Sequence, residues 1–291
     1  VQTTLARDDA PVDHPSDAAG PSPAGADRPR WVPELAGVTA LCAALAALVY
    51  RVWDRPLDVP YVHRGDHLAF VALSGSVDWT GTPSPSGYLG APWGVDWVDT
   101  PSGADRLSLV VLRFLRLLGG GDAVVAANLQ LLLAIVAVGV VSYVVVRSSG
   151  RSALASTVAA VAFALAPAQL VRAGVGHLLL VAYVSVPIGV WLALWASRAP
   201  GVGRWVDGGR VRRWLVPALL VAVLGSMSAY YAAFALVGIV GLGAVVAIRR
   251  RSWAAMARPA VLTLGTLAVV GVNIAGEVLA RGGTESSTRV L

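Results

Sequence analysis

The sequence predicts an all-α integral membrane protein, with about seven transmembrane helices and a long, partly helical first outer loop. Three observations predict it. The 291 residues are 56% hydrophobic and only 14% charged, whereas a soluble domain is about a quarter charged. Apolar runs about as long as a bilayer crossing recur along the chain. Most of the basic residues flank those runs, and every basic residue is an arginine.

Residues 1–32 are rich in Pro, Ala, Asp and Gly, and such a segment buries too little apolar surface to offset the entropy of ordering it. They are expected to form a disordered cytoplasmic tail, too long and too acidic for the start of a signal peptide, so the apolar run that follows is a retained anchor. The formal charge of +6 does not indicate nucleic acid, because the arginines sit where membrane topology puts them. The single cysteine, Cys42, excludes a disulfide framework within the chain.

The expected transmembrane region covers 33–281, followed by an outer tail at 282–291. Apolar runs occur at about 33–50, 124–146, 153–171, 178–197, 214–248 and 259–280, and a crossing helix needs about 20 residues. Five of these fit one crossing each. The run 214–248 does not, since as one helix it would be about 50 Å long. Arg210, Arg212 and Arg213 precede it and Arg249, Arg250 and Arg251 follow it. Cationic loops stay in the cytoplasm, so this stretch must go out and return, with its turn in the polar break Gly225–Tyr231 and a short first arm at 214–226. Arg147 and Arg151 mark one inner loop, and Arg198, Arg204 and Arg213 another. The N-terminus is then cytoplasmic, and 51–123, 172–177 and the end of the chain face outward. Pro187 and Pro217 predict kinks. Asn128, Gln130, Gln169 and Asn273 predict hydrogen bonds between helices, and Glu277 with Arg281 an ion pair one helical turn apart.

The outer loop 51–123 carries eight of the 17 acidic residues. It also holds Trp53, Trp79, Trp93, Trp97, Tyr61 and Tyr88, residue types that favour the membrane interface. Leu107–Leu118 is basic and apolar, fitting an interfacial helix. Gly119-Gly120-Gly121 ends it, and Asp122 suits the N-cap of the next span. The loop therefore reads as a folded lid on the membrane. Most loop carboxylates are simply solvated. Asp66 differs, lying in Tyr61-Val62-His63-Arg64-Gly65-Asp66-His67. The neighbouring arginine keeps it ionised, and the flanking histidines either tune it or share a metal with it.

The order of several segments resembles the GT-C glycosyltransferase superfamily of bacterial membrane proteins. Gly65-Asp66-His67-Leu68 follows the first helix, then Tyr88-Leu89-Gly90-Ala91-Pro92-Trp93-Gly94, the interfacial helix, and a span starting near Asn128-Leu129. Next come Arg172-Ala173-Gly174-Val175-Gly176-His177-Leu178, Ala182–Pro187, and Ser228-Ala229-Tyr230-Tyr231-Ala232-Ala233-Phe234. The resemblance covers roughly 33–280 and rests on order rather than on any single motif. It implies an enzyme of the cell membrane that takes a sugar from a polyprenyl-phosphate carrier at the outer face, with an acidic residue of the first outer loop at the active site. Asp66 matches that residue by position. The implied role is general base on the acceptor hydroxyl, or ligand of a divalent metal ion in metal-dependent branches.

Such chemistry needs a base for the acceptor and cationic or donor groups for the leaving phosphate. Arg172 and His177 are the candidates for the phosphate. Their structural alternatives are a snorkelling helix-end arginine and a capping or interfacial histidine. His67 is a further candidate for substrate binding. Tyr230 and Tyr231 either line a lipid or sugar site or anchor the turn in the aromatic belt. Asp96 and Asp99 flank Trp97, a pairing of carboxylates and an aromatic face that suits sugar. GT-C proteins carry further helices and often a soluble outer domain, so the resemblance implies a truncated product, a fragment or half of a split system. The competing function is a non-catalytic or translocase-type protein handling lipid-linked sugars. A transporter concentrates charge and broken helices near the midplane, whereas here the polar residues cluster outside.

Overall fold

The computed structural model describes residues 31–64, 66–81, 105–198, 202 and 210–283, without the side chains of 31, 66, 210–212 and 276–283. Among the described residues the chain is helical, with no strand. It runs through α1 (Trp31–Tyr50), α2 (Asp66–Ser74), α3 (Arg106–Leu118), α4 (Ala123–Ser148), α5 (Ala153–Ala164) and α6 (Pro167–Gly174). It continues through α7 (Leu178–Val181), α8 (Ser185–Ala196), α9 (Arg210–Met227), α10 (Ala229–Arg249) and α11 (Ala257–Gly283), the last preceded by a 3-10 turn at Trp253–Met256. Five stretches are long and apolar enough to cross a membrane: Val32–Tyr50, Ala123–Ser148, Ala153–Gly174, Ala229–Arg249 and Trp253–Ala275. Ser185–Ala196 and Arg213–Met227 are apolar but shorter.

The apolar surface is turned outward as well as inward. Leu154, Val158, Val237, Phe234, Leu264 and Val272 are all exposed, which suits lipid tails as the surrounding medium. α4 is the hub: half of its most apolar window is buried, against 17% for α1, and α1, α2, α3, α5, α7 and α8 all pack on it. Without a hydrophobic force between helices in lipid, small residues at the seams let backbones approach. Gly139 of α4 faces Cys42 of α1 and Ala164 of α5 so closely that a Cβ there would clash. Gly189 of α8 meets Ala235 of α10 in the same way.

Polar contacts identify two ends. At one, the Arg147 guanidinium lies 3.0 Å from the Glu34 carboxylate, which also accepts from the Tyr143 hydroxyl at 2.6 Å. There too Trp195 packs edge-on against Trp214, with ring centroids 5.2 Å apart, and Arg258 lies 4.9 Å over Trp195. At the other end, the Asn273 amide donates to the Gly225 carbonyl (3.1 Å) and the Ser226 hydroxyl (3.0 Å). The start of α9 thus lies beside the end of α8, and its tip lies beside the far part of α11. α9 and α10 form a hairpin that reverses at Ser228, whose φ of −169° and ψ of 123° leave helical space. The polar break in the run 214–248 is where the reversal occurs.

Other expectations change. The run 178–197 is not one helix but α7 and α8, interrupted at Ala182–Val184. Pro187 falls in the first turn of α8, where a missing N–H costs nothing, so it starts a helix rather than kinking one. Pro217 does lie inside α9. Pro167 opens α6 and divides the span 153–174. Asn273 bonds between helices as expected. Asn128 instead holds the chain after α1: it donates to the Leu57 and Val59 carbonyls, both at 2.8 Å, and accepts from the Tyr61 N–H at 3.0 Å. Gln169 is buried, and among the described residues neither end of its amide has a partner. The side chains of Glu277 and Arg281 lie outside the described residues.

The described parts of the loop 51–123 are folded down on the bundle. α3 buries Leu109, Leu112 and Leu115 and exposes Phe114, Leu117 and Leu118. Its Ser108 hydroxyl donates to the Met227 carbonyl at the hairpin tip, 3.0 Å away. Arg116 donates to the Ser74 and Gly75 carbonyls at the end of α2, both at 3.2 Å, a favourable place for a cation. Arg113 donates to the Val77 carbonyl and covers the Trp79 ring at 4.9 Å. Gly120 and Gly121 take φ of +69° and +94° to turn the chain. Asp122 then caps α4 as expected, accepting from the N–H groups of Val124 (2.7 Å) and Val125 (3.0 Å).

Candidate functional site

The site grows from a tight turn between α6 and α7. The last turn of α6 carries Arg172, and Gly176, at φ +88°, reverses the chain immediately after it. The His177 N–H donates back to the Arg172 carbonyl at 3.0 Å. The His177 carbonyl accepts from Leu180 (3.0 Å) and Val181 (3.2 Å), opening α7. This fixes where Arg172 points its side chain and where Leu180 presents its carbonyl.

The hairpin tip delivers the partners. Because α9 stops at Met227, Tyr230 and Tyr231 fall in the first turn of α10. The Arg172 guanidinium donates to the Tyr231 hydroxyl. It also lies over both tyrosine rings, 5.6 Å from the Tyr230 centroid and 5.5 Å from that of Tyr231. The Tyr231 hydroxyl donates in turn to the Leu180 carbonyl at 2.6 Å. Behind it, the Tyr183 ring stands 6.1 Å from that of Tyr231, and the Tyr183 hydroxyl donates to the Phe163 carbonyl. The half-buried Arg172 thus meets tyrosines but makes no ion pair with a carboxylate among the described residues. A cation over an aromatic face gains about 0.5–2 kcal/mol and keeps its charge.

An apolar groove of about 260 Å³ begins at Tyr231 and runs between α8 and α10. Val186, Gly189, Val190, Phe234 and Leu242 line it. The small residues Gly189, Ala235 and Gly238 form part of its wall. Arg172 contacts Tyr231 at one end of this groove, and a polar head with an apolar tail is the ligand shape that such a pairing can accept.

Three of the residues expected from sequence therefore meet: Arg172, Tyr230 and Tyr231. Tyr231 is 4% exposed and Tyr230 47%, so anchoring in the interfacial belt fits Tyr230 alone. His177 is half-buried, one turn from Arg172. Asp66 is the first residue of α2, and its side chain is not among those described. α2 packs on α4 and α7, with Phe70 and Val71 joining Leu178 and Val181 of α7 in one apolar cluster. α7 thereby links the helix that starts at Asp66 to the Arg172–Tyr231 pair. Asp96 and Asp99 lie outside the described residues.

His67 is fully buried, and neither ring nitrogen has a hydrogen-bond partner among the described residues. Burial pushes its imidazole below the usual range, and the charge of His63 adds to this. Among the described residues no three His, Cys, Asp or Glu side chains converge on a point that could hold a metal ion.

Sequence reasoning missed Tyr183 and the Leu180 carbonyl, which hold Tyr231 in place, and Phe234 and Gly189, which shape the groove. The tyrosine was visible in Ala182–Pro187 as a polar-tipped aromatic inside an apolar run. A main-chain acceptor carries no sequence signal. No family model, no curated protein and no solved structure matches the chain.

Proposed function

We propose that the chain is a GT-C-type membrane glycosyltransferase that moves a sugar from a polyprenyl-phosphate carrier to an acceptor at the outer membrane face. One observation carries the reading: the half-buried Arg172 lies over Tyr230 and Tyr231, and Tyr231 in turn lines an apolar groove. A lipid phosphate suits the guanidinium, whose planar donors match phosphate oxygens. An isoprenoid chain suits the groove. In this assignment the chain crosses the membrane seven times with its N-terminus inside, the two shorter arms α8 and α9 completing the set. The arginine clusters at 210–213 and 249–251 support that orientation. Asp66 acts as the base on the acceptor hydroxyl, and His177 assists Arg172 at the leaving phosphate.

The test uses the full chain in nanodiscs. A long polyprenyl phosphate should be retained and the matching polyprenol, which lacks phosphate, should not. Arg172→Gln should weaken retention by about ten- to a hundredfold, the value of a hydrogen bond to a charged group. Equal retention of the two lipids would remove the proposal. Sugar transfer that survives in Asp66→Asn would remove Asp66 as base. Carrier binding without transfer from any sugar-loaded carrier would move the assignment to a non-catalytic or translocase-type protein.

A further inference from the structure

The opposite end of the bundle carries a second concavity, unrelated to the site above. The ends of α8 and α10 and the 3-10 turn before α11 enclose a pocket of about 200 Å³. Arg198, Arg250, Ser197, Ser252 and Arg258 bring polar groups to its wall. Among the described residues that line it there is no carboxylate.

The placement of these groups has local causes. Ser197 caps α8, and Arg198 follows it in the left-handed region at φ 56°, a position that helix ends usually give to glycine. Arg250 caps α10. Cations are favoured at both places by the partial negative charge of a helix C-terminus. That accounts for arginine at each helix end taken singly. It does not account for two such ends facing one cavity, where like charges repel.

The guanidinium groups of Arg198 and Arg250 make no hydrogen bond or ion pair with any described residue. Ser252 is the N-cap of the 3-10 turn, yet its side chain makes no capping bond. Arg258 is engaged over the Trp195 ring at 4.9 Å, a contact that leaves its charge in place at the pocket wall.

The rim is apolar. Ile248 is 69% exposed and Trp253 is 80% exposed, on either side of Arg250 and Ser252 in the chain. An exposed tryptophan at the end of a lipid-facing helix belongs at headgroup level. The pocket then opens where headgroups lie rather than toward bulk water.

We infer that this pocket binds the phosphate of an anionic phospholipid headgroup, with Arg198 and Arg250 as its charged donors and Ser252 as a neutral one. Basic pockets between helix ends at the arginine-rich side of a membrane protein suit such headgroups. The inference does not depend on the function proposed for the Arg172 site.

The test releases the full chain from nanodiscs of equal parts phosphatidylglycerol and phosphatidylcholine and measures the retained lipid by native mass spectrometry. Phosphatidylglycerol should be retained in preference. Arg198→Gln and Arg250→Gln should each lower that preference by about ten- to a hundredfold, the value of a hydrogen bond to a charged group. Arg249→Gln removes the same charge from a residue outside the pocket lining and should leave the preference intact. Equal retention of the two lipids, or an equal loss in Arg249→Gln, overturns the inference. A second arm adds inorganic phosphate to phosphatidylcholine nanodiscs. A thermal shift there that Arg250→Gln abolishes, with no preference for phosphatidylglycerol, would assign the pocket to soluble phosphate and overturn the lipid source.

Discussion

Arg172 and Tyr231, 59 residues apart in sequence, are joined by a hydrogen bond from the guanidinium to the phenol oxygen. The same hydroxyl donates to the Leu180 carbonyl, so one oxygen ties the α6–α7 turn to the tip of the α9–α10 hairpin. Tyr231→Phe removes that oxygen and leaves two part-buried groups without their partner. The expected cost is about 1–3 kcal/mol, read as a lower midpoint of thermal unfolding in detergent. Carrier binding should fall as well, because Arg172 loses the contact that fixes it. An unchanged midpoint together with unchanged binding would show that the oxygen fixes nothing.

The hairpin makes a topological prediction. Ser108 of α3 contacts Met227 at its tip, whereas Arg250 lies at the other end of α10. Cys42 is fully buried and is the only cysteine, so Cys42→Ala gives a clean background. Within it, Tyr230→Cys should react with a membrane-impermeant maleimide added outside intact cells, and Arg250→Cys should react only after the cells are opened. Labelling of both from the same side would break the out-and-back assignment of 214–248.

What the sequence disclosed follows from the range of each interaction. Arginine clusters on both sides of 214–248 and the polar break at 225–231 place the reversal at Ser228, because membrane topology is written in local composition. Asp122 was legible for the same reason, since a cap bonds two or three residues away. Gln169 was not: its burial without a partner depends on which helices surround it. Nor was the split of 178–197 into α7 and α8, since an apolar run specifies burial without specifying helical continuity. The encounter of Arg172 with Tyr230 and Tyr231 needed a shared end of the bundle, which the alternation of apolar runs implies, and the turn at Gly176, which it does not.

His67 predicts a pH dependence of stability. It is buried without hydrogen-bond partners among the described residues, and burial holds its folded pKa below the ordinary histidine value of about 6.5. Above pH 6.5 the ring is neutral in both states, so it contributes no pH dependence. As pH falls below 6.5 the unfolded chain takes up the proton first, and unfolding is favoured. The loss grows until the folded pKa is reached and then levels off. The unfolding midpoint of the wild type should therefore fall more between pH 7.5 and pH 5 than that of His67→Leu. Parallel curves for the two proteins would mean that His67 already has a charged-state partner when folded.

The seam between α8 and α10 predicts opposite outcomes for two glycines. A Cβ on Gly189 would stand 2.5 Å from the Cβ of Ala235, whereas one on Gly241 would meet nothing within 4 Å. Gly189→Ala must therefore push the two helices apart, at a cost of about 1–3 kcal/mol for overpacking. Gly241→Ala should gain about 0.5–1 kcal/mol, because alanine loses less backbone entropy in a helix interior. Displacing α8 also widens the groove that starts at Tyr231, so Gly189→Ala should weaken retention of a polyprenyl phosphate while Gly241→Ala leaves it intact. Thermal unfolding and lipid retention of the two variants, measured side by side, separate packing from propensity. Equal midpoints would mean that the seam is loose enough to absorb a methyl group, and the groove would then owe its shape to something other than Gly189.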